Sequence, residues 1–280
     1  KRSSLLGDIL NADPVYWKHG LAPESGGKEK GFKDYEANAS EQKAIVYVGS
    51  NDGMLHGFNA STGSVDSGKE EMAYIPLGSY YKLSLLSSPN YTEHQYLVDG
   101  PINIFSLPFS NTFVDPARRN QYRSILIGGM GAGGQGYYAL DVTDAGATTG
   151  TSGFDDTPTN AKKIVLWDTT GNTWLAGADP DLGHSYSRPQ IGYVTCPVGT
   201  APNICKAGER TAALIVGNGY NSTNEKAMLY IINAENGQTI QKIATDTTTD
   251  NGLSTPALYD ENDDLITDYV YAGDLQGRLW

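Results

Sequence analysis

The sequence has few basic residues and no long apolar run. Lys and Arg number 20 against 32 Asp and Glu, which gives a net charge of −12 over 280 residues. Because nucleic acids and anionic membranes attract basic surfaces, this balance argues against both as partners and permits cations or basic protein surfaces. No apolar run approaches the ~20 residues that a membrane-spanning helix needs, so the sequence predicts no transmembrane segment.

Cysteine is also scarce. The chain has two, Cys196 and Cys205, in the stretch "CPVGTAPNIC". The Pro, Gly and Asn between them predict a turn that links two strands. A disulfide closing this short loop is typical of an oxidising compartment, and a pair of free, partly buried thiols is the alternative. With no His or further Cys nearby in the sequence, a zinc site is not expected.

The sequence has few patterns that predict helices and many that predict strands and turns. Only "GSYYKLSLLSS" at 78–88 predicts a short helix. Glycine is abundant at 33 residues, and Tyr outnumbers Phe 18 to 6. Many glycines among β-branched and aromatic residues are typical of short strands joined by tight turns. The composition therefore favours an all-β protein.

Four segments resemble one another and predict β-hairpins. Each opens with a short apolar run, reaches a Gly, crosses a polar turn and enters a second apolar run. They are "VYVGSNDGMLHGFNASTG" (46–63), "ILIGGMGAGGQGYYALDVTD" (125–144), "LIVGNGYNSTNEKAMLYIINAENG" (214–237) and "VYAGDLQGRLW" (270–280). Repeated hairpins at long, irregular spacing predict a β-propeller of four-stranded antiparallel blades with inserted loops. Four hairpins make about four blades, so we expect residues 1–280 to form a single, incomplete propeller domain of a longer protein.

Further strands and loops are predicted between the four hairpins. Strand candidates are "EMAYIPL" (71–77), "KKIVLWD" (162–168) and "QKIATD" (241–246), and inner strands are predicted in "SRPQIGYV" (187–194) and "STPALYD" (254–260). Polar segments rich in Gly, Ser and Thr at 20–40 and 144–162 predict exposed loops. The string "GMGAGG" matches the dinucleotide-binding pattern G-x-G-x-x-G, but a strand follows it instead of a helix. We therefore predict a strand–turn–strand there.

These motifs together resemble the C-terminal propeller domain of the PilC/PilY family of type IV pilus-associated proteins. The matching stretches are "RSSLLGDIL", "VYVGSNDGMLHGFNASTG", "EMAYIP", "YLVDG", "ILIGGMGAGGQGYYALDVTD", "VLWD", "LGHSYSRP", "LIVGNGYNS" and "YVYAGDLQGRLW". They follow in the expected order from about residue 3 to residue 280.

The resemblance carries expectations about fold, location and function. It implies a modified seven-bladed propeller in the full protein, located outside the cytoplasm at the cell surface, outer membrane or pilus tip (fimbrium). It implies a non-enzymatic role in pilus biogenesis, in a calcium-dependent brake on retraction and so in twitching motility, and in host-cell adhesion and virulence. Pilin or minor pilin subunits, and a host-cell surface receptor, are the implied partners.

A quinoprotein dehydrogenase is the rival interpretation, because "LHGFNASTG" is also similar to hairpins of propellers that bind pyrroloquinoline quinone. Such enzymes need a catalytic carboxylate and an aromatic floor beside a calcium ion. The sequence has no vicinal cysteine pair and no regular tryptophan repeat, and its four histidines (His19, His56, His94, His184) fall in separate segments. We therefore predict no catalytic residues.

The acidic stretch "DENDDLITD" predicts a calcium-binding loop. Oxygen-bearing side chains stand at its first, third, fifth and ninth positions, with a backbone carbonyl at the seventh, which is the ligand order of the first part of an EF-hand loop. The resemblance places the family's calcium ligands here too, at Asp260, Asn262, Asp264, Ile266 (through its carbonyl) and Asp268. The alternative is an acidic, solvated turn. Two other acidic stretches, around Asp52 and at Asp179–Asp181, have too few oxygens and predict only turns.

One residue departs from the EF-hand pattern. Position six normally holds Gly, because the backbone turns there with a positive φ, but this sequence has Leu265. Two outcomes stay open: the loop takes a different path, or it takes the same path and stores strain.

Overall fold

The described residues form an all-β structure, as predicted. The computed structural model describes residues 6–18, 42–88, 93–108, 122–144, 154–155, 157–173 and 179–280. Within these ranges the strands form three four-stranded antiparallel sheets and one two-stranded hairpin. In each sheet the strands lie side by side in chain order, which is the simplest antiparallel topology and needs no long crossover.

The sheets occupy successive parts of the chain. The first sheet contains β1 (Val15–Trp17), β2 (Ile45–Gly49), β3 (Leu55–Asn59) and β4 (Glu70–Tyr74). The second contains β5 (Ile102–Pro108), β6 (Tyr122–Gly129), β7 (Tyr137–Asp141) and β8 (Val165–Asp168). The third contains β9 (Gln190–Thr195), β10 (Arg210–Gly217), β11 (Met228–Asn233) and β12 (Thr239–Ala244). The hairpin pairs β13 (Ala257–Tyr259) with β14 (Tyr269–Tyr271).

The sheets pack face to face, with their first strands near one another. Strand β1 lies against β5, and β13 lies against β9. One apolar core joins the first and second sheets and includes Tyr47 and Leu126. Another joins the second and third sheets and includes Trp167 and Leu214. The second sheet thus packs against a neighbouring sheet on each face, which is the radial arrangement of propeller blades.

The fourth repeat differs from the prediction of a fourth blade. Residues 270–280 were predicted as a hairpin, but β14 pairs with β13, which precedes it, and Gly273 and Leu279 then form a single antiparallel bridge across the turn. In the described part of the chain there are thus three four-stranded sheets and an incomplete fourth one. The repeat predicted the turn between Gly273 and Leu279, and the inner strand predicted at 254–260 provides β13.

Within the described ranges, three short α-helices interrupt the β-structure: α1 (Leu77–Tyr80), α2 (Leu83–Leu86) and α3 (Pro158–Ile164). The prediction of one helix at 78–88 was wrong, because the segment forms α1 and α2 with Tyr81 and Lys82 between them. The loop predicted at 144–162 contains the start of α3, where the Thr157 hydroxyl accepts the Asn160 backbone N–H and caps the helix. The strand predicted from residue 162 consequently begins only at Val165. None of the helices in this part of the chain is long and apolar enough to span a lipid bilayer.

The glycine-rich string forms the predicted strand–turn–strand. Strand β6 ends at Gly129, a 3-10 helix covers Gly131–Gly133, and β7 follows at Tyr137. A Cβ atom on Gly133 would lie 1.7 Å from the carbonyl oxygen of Leu97, so only glycine fits this close backbone approach.

Candidate calcium-binding loop

The predicted calcium ligands lie together in the loop between β13 and β14. Tyr259 and Tyr269 pair at its base, and the Asp268 backbone N–H donates to the Tyr259 carbonyl at 3.0 Å. These contacts hold the two ends of the loop together. Asp260 is half-buried, whereas Asn262, Asp264 and Asp268 are exposed.

The side-chain oxygens of the loop are oriented by its own backbone. The side-chain amide oxygen of Asn262 accepts the Asp264 N–H at 3.0 Å, and the Asp264 carboxylate accepts the Ile266 N–H at 2.8 Å. The Asp260 carboxylate accepts the Asn262 N–H at 3.3 Å. Each bond links a side chain to the residue two positions later, a local pattern that Asp and Asn favour in turns.

Two further hydrogen bonds join residues that are farther apart in the loop. The second carboxylate oxygen of Asp260 accepts the Leu265 N–H at 2.7 Å. The Asp268 carboxylate accepts the Glu261 N–H at 2.9 Å, so the last predicted ligand reaches back to the first part of the loop. Carboxylates thus hold the turn from both ends.

Leu265 decides which path the loop takes. Its φ is +70°, so the loop makes the left-handed turn that EF-type loops make with Gly. For a residue with a Cβ atom this conformation costs about 1–2 kcal/mol. The outcome is therefore a turn of the EF-hand kind that carries strain, and the Leu265 N–H bond to Asp260 helps to hold it.

The loop is also docked on the third sheet. Ile266 forms a parallel bridge with Tyr193 of β9, and the Thr267 N–H donates to the Tyr193 carbonyl at 2.8 Å. Leu265 and Asp260 line a cavity of about 170 Å³ between this loop and β5 and β9. Anything that fixes the loop would therefore fix the hairpin against the third sheet.

The donor set of the loop fits a hard cation better than a soft one. Its candidate ligands are carboxylate, amide and carbonyl oxygens, which Ca²⁺ accepts in irregular shells, and no sulfur or imidazole lies among them. The three carboxylates are not drawn into one cluster: within the described ranges no three His, Cys, Asp or Glu side chains are arranged to hold a metal. Asn262 and the Ile266 carbonyl would have to complete any shell.

A disulfide lies at the end of the strand on which the loop docks. The structure joins Cys196, directly after β9, to Cys205, and both residues are 1% exposed. The Cys196 N–H donates to the Glu209 carbonyl at 2.9 Å, which continues the β9–β10 pairing up to the bond. The disulfide therefore clips the connection between these two strands.

Free-thiol titration tests this bond. Unfolded, unreduced protein should show no reactive thiol, and two thiols would contradict the pairing. The double substitution Cys196→Ser/Cys205→Ser should lower the free energy of unfolding by about 2 kcal/mol, the low end for disulfides because the loop is short. Dithiothreitol should destabilise the natural protein equally and leave the double variant unchanged.

The other acidic stretches have structural partners. Asp179 and Asp181 flank the Lys242 ammonium at 2.6 and 3.1 Å, so this turn is ion-paired and not merely solvated as predicted. Lys242 comes from β12, which the local sequence could not place there. Asp52 accepts backbone N–H groups of Gly7 at 2.9 Å and Met54 at 3.2 Å, which agrees with the predicted structural turn.

The three histidines of the described residues lie in separate parts of the structure. His94 pairs with Asp8 at 2.8 Å, and His184 stacks on Tyr220 at a ring distance of 5.8 Å. His56 lies between two carboxylates, an arrangement that sequence reasoning missed. His19 lies outside the described residues.

Comparison with known proteins identifies the family. The family model described as "PilY1 beta-propeller domain" matches residues 6–280. The chain belongs to the PilY1 β-propeller family. The resemblance inferred from the sequence is thereby confirmed, and the three sheets are blades of this family's propeller.

The relatives of this PilY1-type propeller are pilus proteins. It is 36% identical to the type IV pilus biogenesis factor PilY1 of Pseudomonas aeruginosa strain UCBPP-PA14, over the whole chain and 21% of that protein. It is 34% identical to a PilY1 homolog of Xylella fastidiosa strain Temecula1, over the whole chain and 17% of that protein. The crystal structure of the P. aeruginosa PilY1 C-terminal domain matches with a TM-score of 0.60 and 34% identity, over 89% of this chain and 40% of that one. The chain thus spans about a fifth of these curated relatives.

Proposed function

We propose that this propeller is a non-enzymatic module of a type IV pilus biogenesis factor. The observation that carries the proposal is the family match over residues 6–280, together with relatives named as such factors. The module would act outside the cytoplasm, at the cell surface or pilus tip, and would contact pilin or minor pilin subunits. The disulfide supports this location, because such bonds persist in oxidising compartments.

We propose further that residues 260–268 bind Ca²⁺. The side chains of Asp260, Asn262, Asp264 and Asp268 and the Ile266 carbonyl would hold the ion, with water completing the shell. Bound Ca²⁺ would neutralise the carboxylates and so favour a single, ordered loop. Support comes from the left-handed turn at Leu265 and from the carboxylates that already brace the loop.

The docking of the loop on β9 suggests a regulatory use for the ion. A loop fixed by Ca²⁺ would hold the β13–β14 hairpin firmly against the third sheet through Tyr193. In the full protein, with a propeller completed to seven blades, this contact would stabilise one side of the ring. Calcium binding at this contact would then slow pilus retraction and so affect twitching motility and adhesion to host cells.

A loop variant in the full-length protein tests this function in the bacterium. Asp268→Ala should reduce the number of surface pili at saturating Ca²⁺, because retraction would no longer be slowed. Blocking retraction genetically should restore the pili. The matched control Asp263→Asn changes a loop carboxylate outside the ligand order and should behave like the natural protein. Normal piliation of Asp268→Ala would reject the regulatory role, and normal piliation after removal of the whole propeller would reject the biogenesis role.

The partner-facing surface is expected on the inserted segments at 20–40, 78–96 and 144–162, because propellers bind partners through loops between strands. Residues 20–40 lie wholly outside the described residues, as do 89–92, 145–153 and 156. Deleting each segment separately, and measuring piliation and adherence independently, would assign pilin and host contacts to different loops. Incubation with pyrroloquinoline quinone and Ca²⁺ should leave no bound chromophore, whereas a bound quinone would favour the dehydrogenase interpretation.

A further inference from the structure

His56 occupies an unusual position in the first sheet. It lies on β3, is 4% exposed, and has a carboxylate on each side of its ring. Its Nε2 atom lies 3.1 Å from both carboxylate oxygens of Asp52, which belongs to the β2–β3 turn. Its Nδ1 atom lies 2.5 Å from a carboxylate oxygen of Glu70, the first residue of β4.

The protonated form of the His56 ring fits this arrangement. A neutral imidazole carries one N–H, and ionised carboxylates only accept hydrogen bonds. Two carboxylates therefore require two N–H groups, which only the imidazolium has. With a neutral ring, one nitrogen lone pair would face a carboxylate at hydrogen-bond distance, and the two would repel.

The two carboxylates differ in how easily they can move away. The Asp52 side chain is 3% exposed and is also held by the backbone N–H groups of Gly7 and Met54. The Glu70 side chain is 47% exposed. When the ring loses a proton, the remaining N–H can stay on Asp52 while Glu70 turns into solvent.

We propose that Asp52, His56 and Glu70 form a proton-operated clasp, closed by the doubly protonated ring and opened on the Glu70 side when the ring is neutral. The clasp joins the β2–β3 turn to the start of β4, across the register shift that separates Gly57 from Phe58 in the β3–β4 pairing. Opening would loosen the start of β4. It would also release the Glu70 carboxylate into a groove of about 410 Å³ that Glu71 and Asp155 line as well.

The charges around His56 determine the direction in which its pKa shifts. In the described residues, the ionisable groups that act on the ring are Asp52 from the β2–β3 turn and Glu70 from β4, and Phe58 stacks on the ring. Burial lowers the pKa of His56, but the hydrogen bonds and charges of the two carboxylates raise it above its ordinary value of 6.5. Burial raises the pKa of Asp52, whereas bonds from His56 and Gly7 lower it below 3.8.

The sign of the stability change follows from these shifts. A group whose pKa is raised on folding stabilises the folded state fully below its unfolded pKa, here about 6.5, and loses that contribution as the pH rises through the folded pKa. The clasp therefore closes on the acidic side and opens in alkaline solution. This behaviour does not depend on the proposed calcium loop, because the groups that act on the ring, Asp52 and Glu70, both belong to the first sheet and its turn.

Proton NMR of the imidazole groups tests the clasp in this chain. The His56 ring should titrate with a midpoint above pH 6.5, and the thermal unfolding midpoint should fall as the pH rises through that value. Glu70→Gln should lower the His56 midpoint and flatten the pH dependence. It should preserve the fold, because a neutral ring can donate to Asp52 and accept from the Gln amide.

A control variant tests whether the titration belongs to His56 and not to another histidine. His94→Gln removes a more exposed histidine that pairs with Asp8, and it should leave the His56 midpoint unchanged. A His56 midpoint at or below pH 6.5 in the natural protein would overturn the proposal. An unchanged midpoint in Glu70→Gln would overturn it too, since Glu70 would then not share the proton.

Discussion

Saturating Ca²⁺ should raise the free energy of unfolding by roughly 2.7 kcal/mol when free Ca²⁺ is about 100 times its Kd. The ion would bind the folded loop, where Asp260, Asn262, Asp264 and Asp268 lie within one closed turn, and not the unfolded chain, where they are dispersed. Differential scanning calorimetry with Ca²⁺ or with a chelator measures the increment. Mg²⁺ at the same concentration should give a smaller rise, because it requires a tighter octahedral shell.

Two variants assign the increment to the loop. Asp268→Ala should abolish it, because this carboxylate would be the last ligand and it accepts the Glu261 N–H that closes the loop. Asp263→Asn should retain it: Asp263 stands outside the ligand order and has a φ of +59°, a conformation that Asn tolerates. No calcium-dependent rise in the natural protein would show that residues 260–268 are only an acidic turn.

Trp167→Ala should lower the free energy of unfolding by about 3–5 kcal/mol, the usual range for truncating a buried Trp. Trp167 is 8% exposed and belongs to the core between the second and third sheets. Its indole N–H donates to the Ala234 carbonyl at 2.9 Å. Its ring also covers Gly237, where a Cβ atom would lie 2.7 Å from the indole. Trp167 thus contributes buried apolar area, one hydrogen bond and close packing to the contact between the second and third sheets.

A conservative variant separates these contributions. Trp167→Phe keeps a ring in the core but loses the bond to Ala234 and part of the indole, so it should cost about 1–2 kcal/mol. Urea unfolding measures both variants. Equal losses for Phe and Ala would mean that the hydrogen bond carries the contact, and a loss below about 1 kcal/mol for Ala would mean that Trp167 does not couple the sheets.

The sequence alone determined the local structure of most of this protein. Short apolar runs separated by Gly-bearing turns predicted most of the strands, because strands buried on both faces are apolar along most of their length. The glycine-rich turn at 128–136 was predicted for the same local reason. Ordered motifs from residue 3 to residue 280 predicted the family. The ligand order in 260–268 predicted a calcium loop, which stays a prediction, since its oxygens are close in sequence and a turn suffices to gather them.

Some local features were misinterpreted although their signals were present. Thr157 and Pro158 form a recognisable helix start before α3, but the Gly/Thr-rich context favoured a loop. At 78–88 the continuous pattern predicted one helix where α1 and α2 form. Short helices of this kind depend on the sheets they pack against more than on their own propensity.

Only the tertiary structure decided the contacts between distant residues. Trp167 contacts Ala234, Lys242 pairs with Asp179, and Tyr193 bridges to Ile266 in the predicted calcium loop. Glu70 reaches His56 because β4 pairs with β3 in a shifted register. An apolar run shows that a strand will be buried, but it contains no information about which sheet will cover it or in what register two strands pair. Those choices follow from how the packed sheets bury apolar area together, and the charges and hydrogen bonds at their contacts are set only then.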